Sequence, residues 1–267
     1  MLIDRWGRPV TELRISVTNS CNYSCFFCHR EGHRSGGDEM RPEEFGRLVR
    51  ILSKHGIRRV KLTGGEPLMR EDLEEVVREI GSSGVEEISL VTNGFFLKER
   101  ARSLKEAGLS RVNVSLHSLR RETYARITGV DGLERVMEGI DEALRWGLSP
   151  LKLNFTVLRG INEGELWDII GFARRKGARV QIIELLESDP SLASYHYPLE
   201  EFERELERIA MRKEIRELHN RPLFHLEDGT VVELVKGSGD PLFCMRCTRA
   251  RVTHDGRFKP CIAREDN

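Results

Sequence analysis

The sequence has no apolar run that approaches the roughly 20 residues a membrane-spanning helix needs. Its first residues, Met1 to Trp6, carry no signal-peptide core. Neither charge sign is in excess: 43 lysines and arginines balance 43 aspartates and glutamates. That balance excludes a chain built to coat nucleic acid or an anionic membrane, so any anionic ligand must be caught by a local cationic patch. Glutamine occurs once, as Gln181, and low-complexity segments are absent. With no span and no leader, the expected location is the cytoplasm, with no membrane partner. In that compartment the six cysteines are metal ligands or redox groups rather than structural disulfides.

What is present suits an enzyme-sized globular chain. At 267 residues and 39% hydrophobic content it can build one large α/β domain plus a modest extension. Short β-branched runs read as strands over Leu13–Val17, Arg59–Leu62, Glu87–Val91, Arg111–Leu116, Lys152–Val157 and Val180–Leu185. Between them, apolar residues at three- and four-residue spacing predict helices over Pro42–Lys54, Arg70–Ser82, Leu97–Ala107, Leu133–Trp146 and Glu163–Lys176. This alternation implies a parallel sheet with helices outside it, and an active site at the carboxyl ends of the strands. A linker is expected over Glu187–Pro198, then a helix over Leu199–Arg212 and strands near Leu223–Leu226 and Val231–Val235. The expected division is residues 1–186 and 187–267.

The cysteines form two triads. Cys21, Cys25 and Cys28 make a C-x3-C-x2-C run directly after the first strand, and Cys244, Cys247 and Cys261 close the chain. Three thiolates on a short loop can hold three irons of a [4Fe–4S] cube and leave the fourth open. A zinc site is the alternative. His29 or His33 would complete a Cys3His set for the first triad, and His254 for the second. After the second strand, Gly64-Gly65-Glu66-Pro67 would let the backbone approach a ligand closely, with carbonyls and the Glu66 carboxylate facing a ligand ammonium. A plain strand-to-helix turn is the other reading of that stretch. The third strand ends in Thr92-Asn93-Gly94, and Asn113, Ser115 and His117 alternate along the fourth, sharing one face.

These motifs together resemble the radical S-adenosylmethionine (SAM) enzymes. Cys21-x3-Cys25-x2-Cys28 with Phe27 resembles their cluster signature, and Gly64-Gly65-Glu66 their SAM-binding turn. The likeness narrows to the GTP 3′,8-cyclase family that opens molybdenum-cofactor biosynthesis, in a short, archaeal-like form. It is carried by the run from Leu13 to Asn22, by Thr63 to Arg70, by Asn113 to Leu116, by Arg159 to Asn162, and most specifically by Phe243-Cys244-x2-Cys247-Thr248-Arg249-Ala250-Arg251 with Cys261. It runs from about Arg5 to Cys261.

The resemblance implies a partial (β/α)6 barrel of TIM type, with a small C-terminal extension carrying a second iron–sulfur cluster. It implies two [4Fe–4S] clusters and SAM as cofactors, and a lyase acting on GTP through a 5′-deoxyadenosyl radical. Carried over residue by residue, Cys21, Cys25 and Cys28 hold the catalytic cluster, and Cys244, Cys247 and Cys261 the second. Phe27, Gly64, Gly65, Glu66, Ser115 and Leu186 are the implied SAM contacts. Arg14, Lys61, Thr92, Lys152, Arg249, Ala250 and Arg251 are the implied GTP contacts, and the cations among them suit a triphosphate. An electron donor and a downstream pathway enzyme are the implied partners, nucleic acid is not, and a dimer is a candidate oligomeric state.

The sequence departs from the family pattern at several points. It ends at Asn267, where bacterial members continue to a Gly-Gly tail. Gln181 and Lys61 stand where arginines are common, Leu186 where a methionine is, and His117 where an aspartate is. Two competing readings are a radical SAM enzyme modifying a peptide or another small molecule, and a zinc-stabilised binding protein without catalysis.

Overall fold

The computed structural model describes residues 1–32, 37–186, 190–236 and 241–262. Six strands pair in chain order, each parallel to the last: β1 (Glu12–Ser16), β2 (Arg59–Thr63), β3 (Glu87–Thr92), β4 (Arg111–Ser115), β5 (Lys152–Val157) and β6 (Arg179–Glu184). Parallel neighbours need crossover helices. These are α1 (Pro42–Ser53), α2 (Leu73–Gly81), α3 (Leu97–Glu106), α4 (Arg121–Thr128), α5 (Leu133–Arg145) and α6 (Leu166–Lys176). The period of two sorts each strand into two faces. On β1, Leu13 and Ile15 are fully buried in the apolar core, with Val60 and Leu62 of β2 and Ile88 and Leu90 of β3. Glu12 and Arg14 of β1, Lys61 of β2 and Ser89 of β3 take the other face, which makes the interior wall of the barrel.

The helices pack their apolar stripes on the outer face. Val136, Ile140 and Ala143 of α5 are fully buried. A Val or Ile side chain buried so completely stabilises the fold by about 1.5–3 kcal/mol. Gly139 of α5 lies where a Cβ would sit 2.8 Å from the Gly94 carbonyl oxygen, so a larger residue would push α5 off the turn before α3.

The segment after β6 extends the same sheet at both edges. A 3-10 helix over Pro190–Tyr195 follows β6, within the stretch expected as a linker; residues 187–189 lie outside the described residues. After α7 (Glu200–Ile209) come β7 (Arg212–Arg216), β8 (Arg221–His225) and β9 (Val231–Val235), an antiparallel meander whose last strand pairs in parallel with β6. A short helix, α8 (Pro241–Met245), leads to β10 (Arg249–Val252), which pairs in parallel with β1 and antiparallel with β11 (Phe258–Lys259). Among the described residues the result is one open sheet of 11 strands, a partial barrel with β11 and β7 at its edges. No helix among the described residues is long and apolar enough to cross a membrane.

Three expectations shift. The helix expected from Arg70 starts at Leu73, because Pro67–Met69 forms a 3-10 turn capped by Glu66. The helix expected to reach Arg212 ends at Ile209, and Arg212 opens β7. The helix α4 was not expected at all.

Candidate active site

The loop after β1 carries the first cysteine triad, and the glycine turn after β2 is zipped onto it. The amide of Gly65 donates to the Thr18 carbonyl at 2.8 Å, and that of Glu66 to the Ser20 carbonyl at 2.7 Å. A Cβ on Gly65 would lie 2.1 Å from the Ser20 carbonyl oxygen, and one on Gly64 2.4 Å from that of Thr18. Both positions exclude side chains because the backbone of the cysteine loop fills the space. Asn93, after β3, ties in the same loop, its amide donating to Asn22 at 2.8 Å.

The thiols suit a cluster. The Tyr23 amide donates to the Cys21 sulfur at 3.4 Å and the Arg30 amide to the Cys28 sulfur at 3.4 Å, bonds that favour thiolates. Burial, then the adjacent Cys28 and Cys21, pushes the Cys25 thiol up to about 12. Burial raises the Cys21 thiol as well, and thiols that resist ionisation are matched to a cation that replaces their protons. Among the described residues no three His, Cys, Asp or Glu side chains close around a single point. His33, one zinc candidate, lies outside the described residues.

Phe27 of this loop meets the ring of His117 edge-on, with centroids 5.0 Å apart. Burial pulls His117 down to about 4, so it is neutral near pH 7. The Thr156 amide donates to its Nδ1 at 3.1 Å, which leaves the ring proton on Nε2. Phe27 also borders a small apolar cluster of Ile127, Leu158 and Leu185. Ser115 ends β4 on the interior face, beside Asn154 of β5, and Leu186 lies half-buried just beyond β6.

Two of the expected contact residues have partners inside the protein. Glu66 is 1% exposed, and its carboxylate accepts the Thr92 hydroxyl at 2.6 Å, the Asn93 amide at 2.6 Å and the Leu68 amide at 2.9 Å. It braces the glycine turn to the end of β3 instead of facing a ligand ammonium, because a buried carboxylate needs donors at both oxygens. Burial pushes it up to about 7 even so. Thr92 follows the parity of Ile88 and Leu90, so its hydroxyl goes to Glu66 on the helix side; the interior position at that level is Val91.

The cations converge, but from the middle and amino ends of strands, not their carboxyl ends. Arg14 of β1 stands between Lys61 of β2 and Arg251 of β10 in register. Arg249 shares the face of Arg251, and Ala250 between them points into the apolar core, 2% exposed. Lys152 opens β5 on the same interior wall. Lys61 is half-buried on this wall. Burial, then Arg111, Arg249, Arg14 and Lys152, depresses its ammonium well below the ordinary range.

Carboxylates invisible as site residues in the sequence hold these cations. Glu31 sits beside Arg14, takes Arg251 at 2.6 Å and accepts the Thr63 hydroxyl at 3.0 Å. Glu12 takes Arg249 at 2.8 Å, and Glu233 of β9 takes Lys152. Burial alone would raise the Glu31 and Glu233 carboxyls, but their basic partners hold both well below the carboxylate range. Glu233, the only charge in the apolar run of β9, carried a readable signal; Glu31 carried none.

Of the second triad, Cys244 and Cys247 lie where α8 meets β10, and Cys261 follows β11. The Cys247 amide donates to the Cys244 carbonyl at 3.1 Å, and His219 stands against the Cys247 sulfur. His254, the expected zinc partner of this triad, lies instead by the first cysteine loop, its Nε2 accepting from Asn19 at 3.1 Å. It follows β10 on the turn to β11, a strand's length beyond Cys247.

Comparison with known proteins agrees with this arrangement. Residues 15–173 match the Radical SAM superfamily and residues 178–267 match Molybdenum Cofactor Synthesis C. A probable GTP 3′,8-cyclase of Thermococcus kodakarensis is 52% identical over 100% of this chain and 89% of its own length. A protein of the same description from Metallosphaera sedula is 46% identical over 99% of this chain and 84% of its own. Among solved structures, Streptococcus suis SuiB bound to S-adenosylmethionine superposes with a TM-score of 0.73 at 16% identity, covering 96% of this chain and 61% of SuiB, a likeness of fold. With half the chain inside one superfamily and near-complete relatives at such identity, the chain belongs to the radical SAM superfamily and, within it, to the GTP 3′,8-cyclase family.

Proposed function

We propose that this protein is a cytoplasmic radical SAM lyase that converts GTP to (8S)-3′,8-cyclo-7,8-dihydroguanosine 5′-triphosphate, the first step of molybdopterin biosynthesis. The observation that carries it is the interior wall on which Arg14, Lys61, Lys152, Arg249 and Arg251 stand together, between the two cysteine triads. A triphosphate is the kind of ligand that satisfies so many cations.

When bound at Cys21, Cys25 and Cys28, a [4Fe–4S] cluster with SAM supplies a one-electron cleavage that starts radical chemistry. The chain's own residues do the rest. Gly64 and Gly65 keep the cysteine loop pressed to the strand ends. Phe27 and His117 wall one side of the SAM region, with Ser115 as a polar contact. The five basic residues hold the triphosphate, while Glu31, Glu12 and Glu233 keep Arg14, Arg251, Arg249 and Lys152 aligned before substrate arrives. Cys244, Cys247 and Cys261 hold a second [4Fe–4S] cluster that meets the guanine. In this reading residues 1–186 carry the SAM chemistry and residues 187–267 the second cluster. A reductant and a downstream pathway enzyme are its partners.

The test is product analysis under strict anaerobiosis, with reconstituted protein, SAM, dithionite and GTP. 5′-Deoxyadenosine together with a cyclised guanosine triphosphate is expected, and Cys25→Ser should yield neither. 5′-Deoxyadenosine without a GTP product would retain the radical SAM chemistry and overturn the substrate.

A further inference from the structure

One imidazole reaches the second cysteine triad. His219 lies on the turn between β7 and β8, in left-handed backbone at φ 63°, and is 5% exposed. Its amide donates to the Arg246 carbonyl at 3.0 Å, which ties this turn to the loop between Cys244 and Cys247. Its ring stacks on Phe243 at 4.1 Å with an 18° tilt, so it cannot swing freely.

The two ring nitrogens have different partners. Arg221 stands 2.7 Å from Nδ1, and Nε2 stands 3.2 Å from the Cys247 sulfur. A guanidinium has donors only, so Nδ1 must be the acceptor, and in the neutral ring the proton then belongs to Nε2. Arg221 is itself fixed, donating to Glu233 at 3.2 Å, and Glu233 is the partner of Lys152. An imidazole locked this way presents an N–H to the sulfur, not a lone pair to a metal.

We propose that His219 is a positioning residue for the second cluster: its Nε2–H donates to the Cys247 sulfur, orients that ligand and raises the cluster's reduction potential, while leaving the open iron to substrate. The inference rests on the reading that Cys244, Cys247 and Cys261 hold a [4Fe–4S] cluster. Hydrogen bonds to ligand sulfurs stabilise the more negative reduced state and are a recognised lever on potential.

The experiment uses the full chain with Cys21, Cys25 and Cys28 all changed to Ala, so that only the second cluster can form. Iron content is measured first, then the reduced fraction by electron paramagnetic resonance across a potential titration. Two variants are compared in that background. His219→Phe keeps the ring stack and lacks the N–H. His219→Gln keeps an acceptor for Arg221 and an N–H for sulfur. His219→Phe should retain iron and shift the reduced-to-oxidised ratio about tenfold toward oxidised at fixed potential, about 59 mV for one electron. His219→Gln should restore most of the shift. An unchanged ratio in His219→Phe, or equal shifts in both variants, would overturn the proposal. Iron lost in Phe but kept in Gln would support it, and iron lost in both would overturn it. If the triple-Ala protein binds no iron, the second-cluster reading itself fails and the inference with it. In the unsubstituted protein, nitrogen NMR of His219 should show the Nε2–H tautomer; an Nδ1–H tautomer would overturn the proposal without any variant.

Discussion

Gly65→Ala tests how the site is assembled. The added Cβ would meet the Ser20 carbonyl oxygen at 2.1 Å, the Ser20 carbonyl carbon at 2.6 Å and the Asn19 carbonyl oxygen at 2.7 Å. All three are backbone atoms, so no side chain can rotate away. The cysteine loop must retreat by on the order of an ångström to reach ordinary contact. That movement breaks the bonds from the Gly65 amide to Thr18 and from the Glu66 amide to Ser20, each worth about 0.5–1.5 kcal/mol. Residual overpacking adds about 1–3 kcal/mol. Together the loss is about 2–6 kcal/mol, or about 4–24 °C in melting temperature for a chain of this size. Cys21 follows Ser20 directly, so its sulfur moves too, and an ångström of misplacement at a reacting centre lowers rate by about 10²-fold. Differential scanning fluorimetry, iron content and 5′-deoxyadenosine formation read the three effects. Gly164→Ala is the control, since nothing lies within 4 Å of a Cβ there. A Gly65→Ala protein with unchanged melting and SAM cleavage within twofold would refute the reasoning.

Other outcomes follow from the cation wall. Alanine at both Arg249 and Arg251 should weaken GTP binding by two orders of magnitude or more, at about 1.5–3 kcal/mol for each charged contact, while SAM cleavage persists; unchanged affinity in calorimetry would remove both from the GTP site. Glu31→Gln leaves Arg14 and Arg251 buried without their carboxylate and should destabilise the nucleotide-free protein by about 3–5 kcal/mol. Its melting temperature should then rise more on GTP addition than the wild type's, and an equal rise would show that Glu31 and the triphosphate do not share the arginines. The Glu31 and Glu233 carboxyls titrate below their unfolded value of 4.5. Their stabilisation is therefore present above that pH and lost as pH falls below it. Melting temperature should drop between pH 5 and 3, and Glu233→Gln should flatten the drop; parallel curves would count against it.

The barrel was readable because its strands obey a simple rule. β1, β2, β4 and β5 alternate apolar and polar residues over five or six positions, β3 and β6 do so over their first four, and glycine or polar turns stop them. The segments missed are those where that rule is weak. β7, Arg212–Arg216, is an exposed edge strand of mostly charged residues, a composition that protects edges and hides strands. β10 reads as a basic motif, since two of its four residues are arginines facing the interior. α4 is short and buries only Tyr124, Ile127 and Thr128. The placement of Thr92 was legible, since the parity that puts Ile88 and Leu90 on the helix side of β3 puts Thr92 with them. Glu31 was out of reach for a different reason. Its partner Arg251 is 220 positions away, and no local pattern reports a pairing that only the closed sheet creates.

The pairing of β10 with β1 has a consequence for how the protein is made. Arg14 and Arg251 are register neighbours, yet Arg14 is synthesised long before Arg251. Until β10 is made, one edge of β1 has no strand to pair with, an invitation to wrong partners. Loop closure over so long a separation is also slow. The cation wall is thus completed only when β10 arrives, so a chain terminated before β10 presents a barrel with one side ajar, and quality control has a strand edge to sense.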